Sequence, residues 1–196
     1  MKHYDLIVLQ EIWVFLWDLA VPSTLGIDVN SSSLSSIDVT NGIKAGRPYG
    51  GITFIWHRYF GCNIQVNRYE SDRILGLSVT MNGSSILFIN VCFPVAYHAE
   101  YEEYIMCLGI LSSILESHEE DHLCILGDFT ATPGSSQFNE ICDMLNENNV
   151  MFSDMVFFQV TLTQMSIMVV KHVHGWIILQ CPMFCPSLLL TIIDYY

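Results

Sequence analysis

Apolar and polar positions along this chain fall into short blocks separated by glycine, proline, serine and asparagine. Residues 5–9 form an apolar strand that ends in Gln10-Glu11. Residues 22–46 are rich in Ser, Asn, Asp and Gly and read as loop. Gly46, Pro48, Gly50 and Gly51 then punctuate a turn before a strand over 52–57. Strands over 73–80 and 85–91 flank Asn82-Gly83 with the spacing of a hairpin. From Glu100 to Ser117 the period becomes helical. Tyr101, Tyr104, Ile105, Leu108, Leu111 and Leu115 lie along one face, and Glu100, Glu102 and Glu103 occupy the first turn, where the helix dipole favours them. The run Leu123-Cys124-Ile125-Leu126 reads as a buried strand opening into Gly127-Asp128. Past the turn at Pro133-Gly134, Ser135 or Ser136 caps a helix with Phe138, Ile141, Cys142 and Leu145 inward. This order of elements predicts an α/β layered fold.

The pattern breaks near residue 155. From there to Tyr196 the charges are Lys171 and Asp194, and no helix or strand period emerges. Trp176 to Ile193 lacks charge, but Gln180, Pro182 and Pro186 read against a membrane span. The expected organisation is one domain over 1–154 and an apolar tail over 155–196.

A length of 196 residues suits one domain with a sizeable core. The net charge of −13, with seven Lys and Arg residues, argues against unaided binding to a polyanion. An acidic protein acting on phosphates needs a divalent cation between carboxylate and substrate. The seven cysteines, at 62, 92, 107, 124, 142, 181 and 185, are scattered and odd in number. That favours a reducing compartment and no disulfide partner. Asp5, Glu11 and Asp18 interrupt the apolar start, which reads neither as a signal peptide nor as a membrane span. The expected location is intracellular, nuclear or cytoplasmic.

Asp128 and Glu11 are the candidate chemistry, because carboxylates at strand ends are where α/β proteins place catalytic groups and metal ligands. Each alone also fits a turn, a cap or an exposed strand end. Cys92 and Cys124 read as buried apolar residues, with no positive neighbour to activate a thiol. His118 and His122 have a metal-compatible spacing but read as a solvated helix end. His98 reads as loop, and Arg47 and Arg58 as surface residues within reach of phosphate.

Three strand ends, taken in order, carry a resemblance. They are Leu9-Gln10-Glu11, Asn90-Val91-Cys92-Phe93-Pro94 and Gly127-Asp128-Phe129-Thr130-Ala131 with Pro133, and between them lie GRPYGG and SDRILG. Together they resemble the endonuclease/exonuclease/phosphatase superfamily, whose fold is that of deoxyribonuclease I. Within it, residues 5–145 look most like the apurinic-type endonuclease domain of non-LTR (LINE-like) retrotransposons. The resemblance implies a two-sheet α/β sandwich with helices outside. It also implies Mg2+ (or Mn2+) as cofactor, DNA as partner, Glu11 and Asp128 as metal ligands, and Asp128 as the catalytic group that orients or deprotonates the attacking water.

The chain departs from that pattern. It begins after the strand that carries a metal-site Asn in the family, so the fold is expected to lack its first strand. Cys92 stands at the family's Tyr and Thr130 at its Asn, both of which handle phosphate. The terminal S-D-H or W-L-D-H is absent. Reading the possible codons of Thr163 to Ile178 two bases late admits Ser-Asp or Ser-Asn, a Gly and then Trp-Leu-Asp-His. The C-terminal section is therefore expected to be an out-of-frame reading of the last strands. The functional expectation is an Mg2+-dependent DNA endonuclease domain, impaired or inactive. The alternatives are a non-catalytic relic or weak binding module, and another phosphoesterase of the superfamily.

Overall fold

The structure is a computed structural model that describes residues 6–36, 50–94, 101–132, 134–152, 166–171 and 187–188. Among the described residues, ten strands and two α-helices follow in chain order: β1 (Leu6–Gln10), β2 (Val29–Leu34), β3 (Ile52–His57), β4 (Asn63–Arg68), β5 (Ile74–Met81), β6 (Ser84–Cys92), α1 (Tyr101–Ser117), β7 (His122–Asp128), α2 (Ser136–Glu147), β8 (Met151–Phe152), β9 (Ser166–Lys171) and β10 (Ser187–Leu188). Two 3-10 turns, Leu16–Asp18 and Val21–Thr24, lie between β1 and β2.

The strands form two sheets, ordered β10-β1-β3-β2 and β4-β5-β6-β7-β9-β8. In the second sheet β6 and β7 run parallel. A parallel pair needs a crossover, which α1 supplies. The β5–β6 hairpin turns at Asn82 and Gly83, with φ of 53° and 85°. Positive φ at both central residues gives the twist of a tight hairpin, and Asn and Gly adopt it readily.

Two apolar clusters hold the layers together. Between the sheets lie Leu6, Val8, Ile52, Phe54, Leu75, Leu77, Phe88, Cys92, Cys124 and Leu126. Between the second sheet and the helices lie Ile89, Val91, Phe93, Tyr104, Leu111, Leu115, Leu123, Ile125, Phe138, Ile141 and Leu145. Alternate residues of β6 and β7 thus serve opposite faces, as the strand period requires. Ser135 is the α2 cap, its side chain accepting from the Phe138 amide at 3.1 Å. The result is a two-sheet α/β sandwich.

Several expectations are corrected. The polar stretch 22–46 contains β2, a strand of sequence VNSSSL paired along β3. Its serines find partners across the pair, Ser33 Oγ lying 2.8 Å from Thr53 Oγ1, so tertiary pairing overrides local propensity. β4 is a further strand with no clear signal; its exposure alternates along the sheet edge. In α1 the buried residues are Tyr104, Cys107, Leu108, Leu111, Ile114 and Leu115, whereas Tyr101 and Ile105 face outward. His118 is not solvated; its side chain is 9% exposed and lies 3.9 Å from Glu120. Most of 155–196, with His172 and His174, lies outside the described residues, as do Arg47, His98 and Pro133. The described parts of that stretch add β9 beside β7 and β10 beside β1.

Candidate active site

The ends of β1, β6 and β7 meet at one edge of the sandwich. Asp128 closes β7 and is the register partner of Cys92, the last residue of β6, so both occupy one level of the parallel pair. Glu11, the first residue after β1, reaches across from the other sheet. Its Oε1 accepts from Cys92 Sγ at 3.3 Å. Its Oε2 accepts from Trp13 Nε1 at 2.6 Å and from the Gly50 amide at 2.9 Å. Gly50 has a φ of 68°, and a Cβ there would crowd Ser36 at 3.0 Å. Glycine at this position lets a backbone N–H approach the carboxylate.

Asp128 is set by its neighbours. Its Oδ1 accepts from the Thr130 amide at 2.8 Å, and its backbone carbonyl accepts from Phe93 N at 2.8 Å. Gly127 before it has a φ of 143°, and a Cβ there would collide with the Val91 carbonyl of β6. The Thr130 hydroxyl donates to Phe93 O at 2.6 Å, and the Phe93 ring packs edge-on against Phe129 and Tyr104. The turn after β7 is therefore tied to the end of β6.

The backbone is strained here. Five non-glycine residues have positive φ among the described residues. Two are asparagines, and the others are Glu11 at 52°, Trp13 at 50° and Thr130 at 50°. Asparagine tolerates this region, whereas other residues lose about 1 kcal/mol there. Three strained residues at one sheet edge mark it as a place where position outweighs local comfort.

Burial raises the Asp128 carboxyl above its ordinary range; the Thr130 amide opposes the shift and the charge of Glu11 adds to it. Burial also raises the Cys92 thiol, helped by the charge of Glu11 and its hydrogen bond with the thiol, then by Asp128; Arg73 opposes the shift. Cys92 is therefore a protonated S–H donor, and Cys124 is likewise buried and held protonated. Among the described residues no three His, Cys, Asp or Glu are arranged to hold a metal ion, His118 and His122 included. Two facing carboxylates, of which Glu11 helps raise Asp128, nonetheless suit a small divalent cation. Mg2+ is commonly held by one or two carboxylates, with water and substrate oxygens completing its shell. Glu11 has three donors on its two oxygens, which leaves lone-pair capacity.

The structure brings Glu11, Cys92, Asp128 and Thr130 to one edge, but turns the Thr130 hydroxyl inward to Phe93. Arg58 donates to Val29 O at 3.2 Å, joining β3 to β2. Other contributors stand in the quoted motifs without an assigned role. Gln10 Nε2 donates to Asn90 Oδ1 at 2.7 Å, while Asn90 Nδ2 donates to Leu9 O and Thr53 O at 3.0 and 3.2 Å. Asn90 is fully buried and clasps the two sheets beneath Glu11; a lone amide inside an apolar strand was the available signal. Arg73 donates to Glu103 at 2.5 Å and to Cys92 O at 3.3 Å, tying α1 to the end of β6. Trp13 had no signal, because its role depends on a turn.

No protein-family model matches the chain, and none of the curated proteins matches it. Solved structures do. An AP endonuclease, LMAP, from Leishmania major superposes with a TM-score of 0.61 at 12% identity, over 85% of this chain and 69% of that one. The endonuclease domain of TRAS1, a telomere-specific non-LTR retrotransposon, gives 0.53 at 11% identity, over 85% and 72%. An endonuclease/exonuclease/phosphatase family protein from Leptotrichia buccalis gives 0.53 at 14% identity, over 86% and 76%. The chain thus has the two-sheet fold of the deoxyribonuclease I-like endonuclease/exonuclease/phosphatase proteins.

Proposed function

We propose that this edge is a divalent-cation-assisted phosphodiester hydrolysis site of a DNA endonuclease of retrotransposon origin, impaired in this chain. The observation that carries it is the meeting of Glu11 and Asp128, from different sheets, around Cys92. Glu11 and Asp128 are the residues that would hold Mg2+ or Mn2+. The cation, when bound, supplies positive charge for the phosphate and its developing negative charge. Asp128 orients the attacking water through its carboxylate and accepts its proton, a task favoured by the raised proton affinity of a buried carboxyl. Glu11 is held in place by the Trp13 indole and the Gly50 amide.

Impairment is supported by three features. A thiol occupies one Glu11 oxygen, the Thr130 hydroxyl is spent on Phe93 O, and neither residue presents the phenol or carboxamide expected to contact phosphate. The GRPYGG and SDRILG stretches support the retroelement branch over another phosphoesterase. The division into a domain over 1–154 and an out-of-frame tail belongs to the same reading. The coding DNA tests it: a shifted frame without a Trp-Leu-Asp-His run sinks it.

A plasmid-nicking assay in Mg2+ and in Mn2+ tests the activity. Slow nicking that disappears in Glu11→Gln and Asp128→Asn is expected. Nicking indifferent to both variants removes the site assignment. Robust nicking abolished by them keeps the site and removes the impairment.

A further inference from the structure

Arg73 is a buried cation beside the carboxylate edge with no part in the chemistry above. It immediately precedes β5, and its side chain is 11% exposed. It holds both backbone polar groups of Cys92: the Cys92 amide donates to Arg73 O at 3.0 Å, and Arg73 Nη1 donates to Cys92 O at 3.3 Å. Its Nε donates to Glu103 Oε1 at 2.5 Å, in the first turn of α1. On the other side of β6, the Phe93 amide donates to Asp128 O, and Phe93 O accepts from the Thr130 hydroxyl. The Thr130 amide donates in turn to Asp128 Oδ1. Glu103, Arg73, residues 92–93 and the turn at 128–130 thus form one continuous set of hydrogen bonds. Glu103 is 40% exposed, and a pair so placed contributes little net stability. A rigid guanidinium fork is better suited to fixing two acceptors at once, which the flexible point charge of a lysine does poorly.

We propose that Arg73, braced by Glu103, is a positioning residue: it fixes the end of β6, and through it the Asp128 turn and the contact of Cys92 with Glu11. Its hydrogen bonds go to Glu103 and Cys92, not to Glu11 or Asp128, so it acts through residues 92 and 93. The bearing of this on a cation rests on the function proposed above. Groups that orient a metal ligand change metal affinity by about tenfold or more when removed. Charge alone predicts the opposite sign at Arg73, because deleting a nearby cation favours a bound cation.

Mn2+ binding to the full chain, measured by electron paramagnetic resonance, tests this in a Cys92→Ala background, where the thiol no longer competes for Glu11. The Arg73 contacts are with the backbone of residue 92 and survive that change. Glu103→Ala and Glu103→Gln remove the same charge, but Gln keeps an oxygen for Arg73 Nε. Glu103→Ala is expected to weaken Mn2+ binding about tenfold, and Glu103→Gln to restore most of it. Arg73→Lys keeps the charge, loses the fork and is expected to match Glu103→Ala. Equal affinities in Glu103→Ala and Glu103→Gln overturn the proposal. So does a lowered circular dichroism melt in Glu103→Ala with Mn2+ affinity unchanged. The infrared S–H band of Cys92, identified by its loss in Cys92→Ala, gives a reading that needs no metal, because it reports the hydrogen bond to Glu11. If Glu103→Ala moves that band toward a free thiol and no form binds Mn2+, the positioning role stands and the cation reading falls. If Mn2+ binds in a Glu11-dependent and Asp128-dependent way, with affinity and band both unmoved by Glu103→Ala, the reverse holds.

Discussion

Cys92 donates its thiol proton to Glu11 across 3.3 Å, and the two side chains come from different sheets. The thiol thus occupies an oxygen of the carboxylate proposed to hold the cation. Cys92→Ala frees that oxygen and opens only a small gap, at a cost of about 1 kcal/mol in stability. The Mg2+-dependent rise in melting temperature should therefore be larger in Cys92→Ala than in wild type, and absent in Glu11→Gln. Thermal scans across a Mg2+ titration measure this through ligand linkage. Identical Mg2+ responses in all three proteins would contradict the assignment of Glu11.

Asp128 has its folded-state carboxyl raised above the ordinary range, chiefly by burial. A raised acid favours the protonated form in the folded state. Its contribution to stability is therefore greatest at low pH and is lost as pH rises from the ordinary carboxylate range through the folded value. Asp128→Asn keeps the Oδ1 that accepts from Thr130 and removes the charge. The variant should be about 1 kcal/mol more stable than wild type at neutral pH without metal. That gain should vanish in acid. Denaturant melts at several pH values read it, and a loss of stability at neutral pH would count against the argument.

Asn90 makes three hydrogen bonds that join the sheets, two of them buried and one part-buried. Asn90→Leu strands the Gln10 amide and two carbonyls away from water. A loss of about 3 kcal/mol is expected, since each buried orphan costs ~1 kcal/mol or more. Urea melts give the value. A change below about 1 kcal/mol would mean water replaces the lost partners.

Gly127→Ala places a methyl against the Val91 carbonyl at a φ that L-residues rarely adopt. Both effects fall on backbone, which cannot swing away. A loss above about 3 kcal/mol is expected, large enough to leave little folded protein in a circular dichroism melt. Gly83→Ala tests the strain alone, because nothing crowds a Cβ there, and should cost about 1 kcal/mol.

Much of the scaffold was legible from local chemistry. β1, β3, β5, β6 and β7 are apolar runs bounded by turn residues, and α1 and α2 carry helical periods with recognisable first turns. The Asn82-Gly83 turn announces its hairpin. β2 and β4 were not legible. Their polar residues become strand because a neighbour offers its edge, and no local window contains that neighbour. The outward positions of Tyr101 and Ile105 have a similar cause: the buried stripe of α1 is chosen by where the second sheet lies, and Cys107 and Ile114 fall on it instead.

At the site the division is sharper. Strand-end position and order along the chain identify Glu11 and Asp128 as carboxylates of interest, because each sits where an apolar run stops. That Glu11 meets Cys92, that Trp13 and Gly50 hold Glu11, and that Thr130 spends its hydroxyl on Phe93 depends on which strand ends are neighbours. Residues 10 and 90, or 11 and 92, are some eighty positions apart, and only the packing of two sheets brings them within a hydrogen bond. Pattern along a chain records what each residue prefers to bury. Contact between distant residues is decided by how the layers close, and that is a property of the folded molecule.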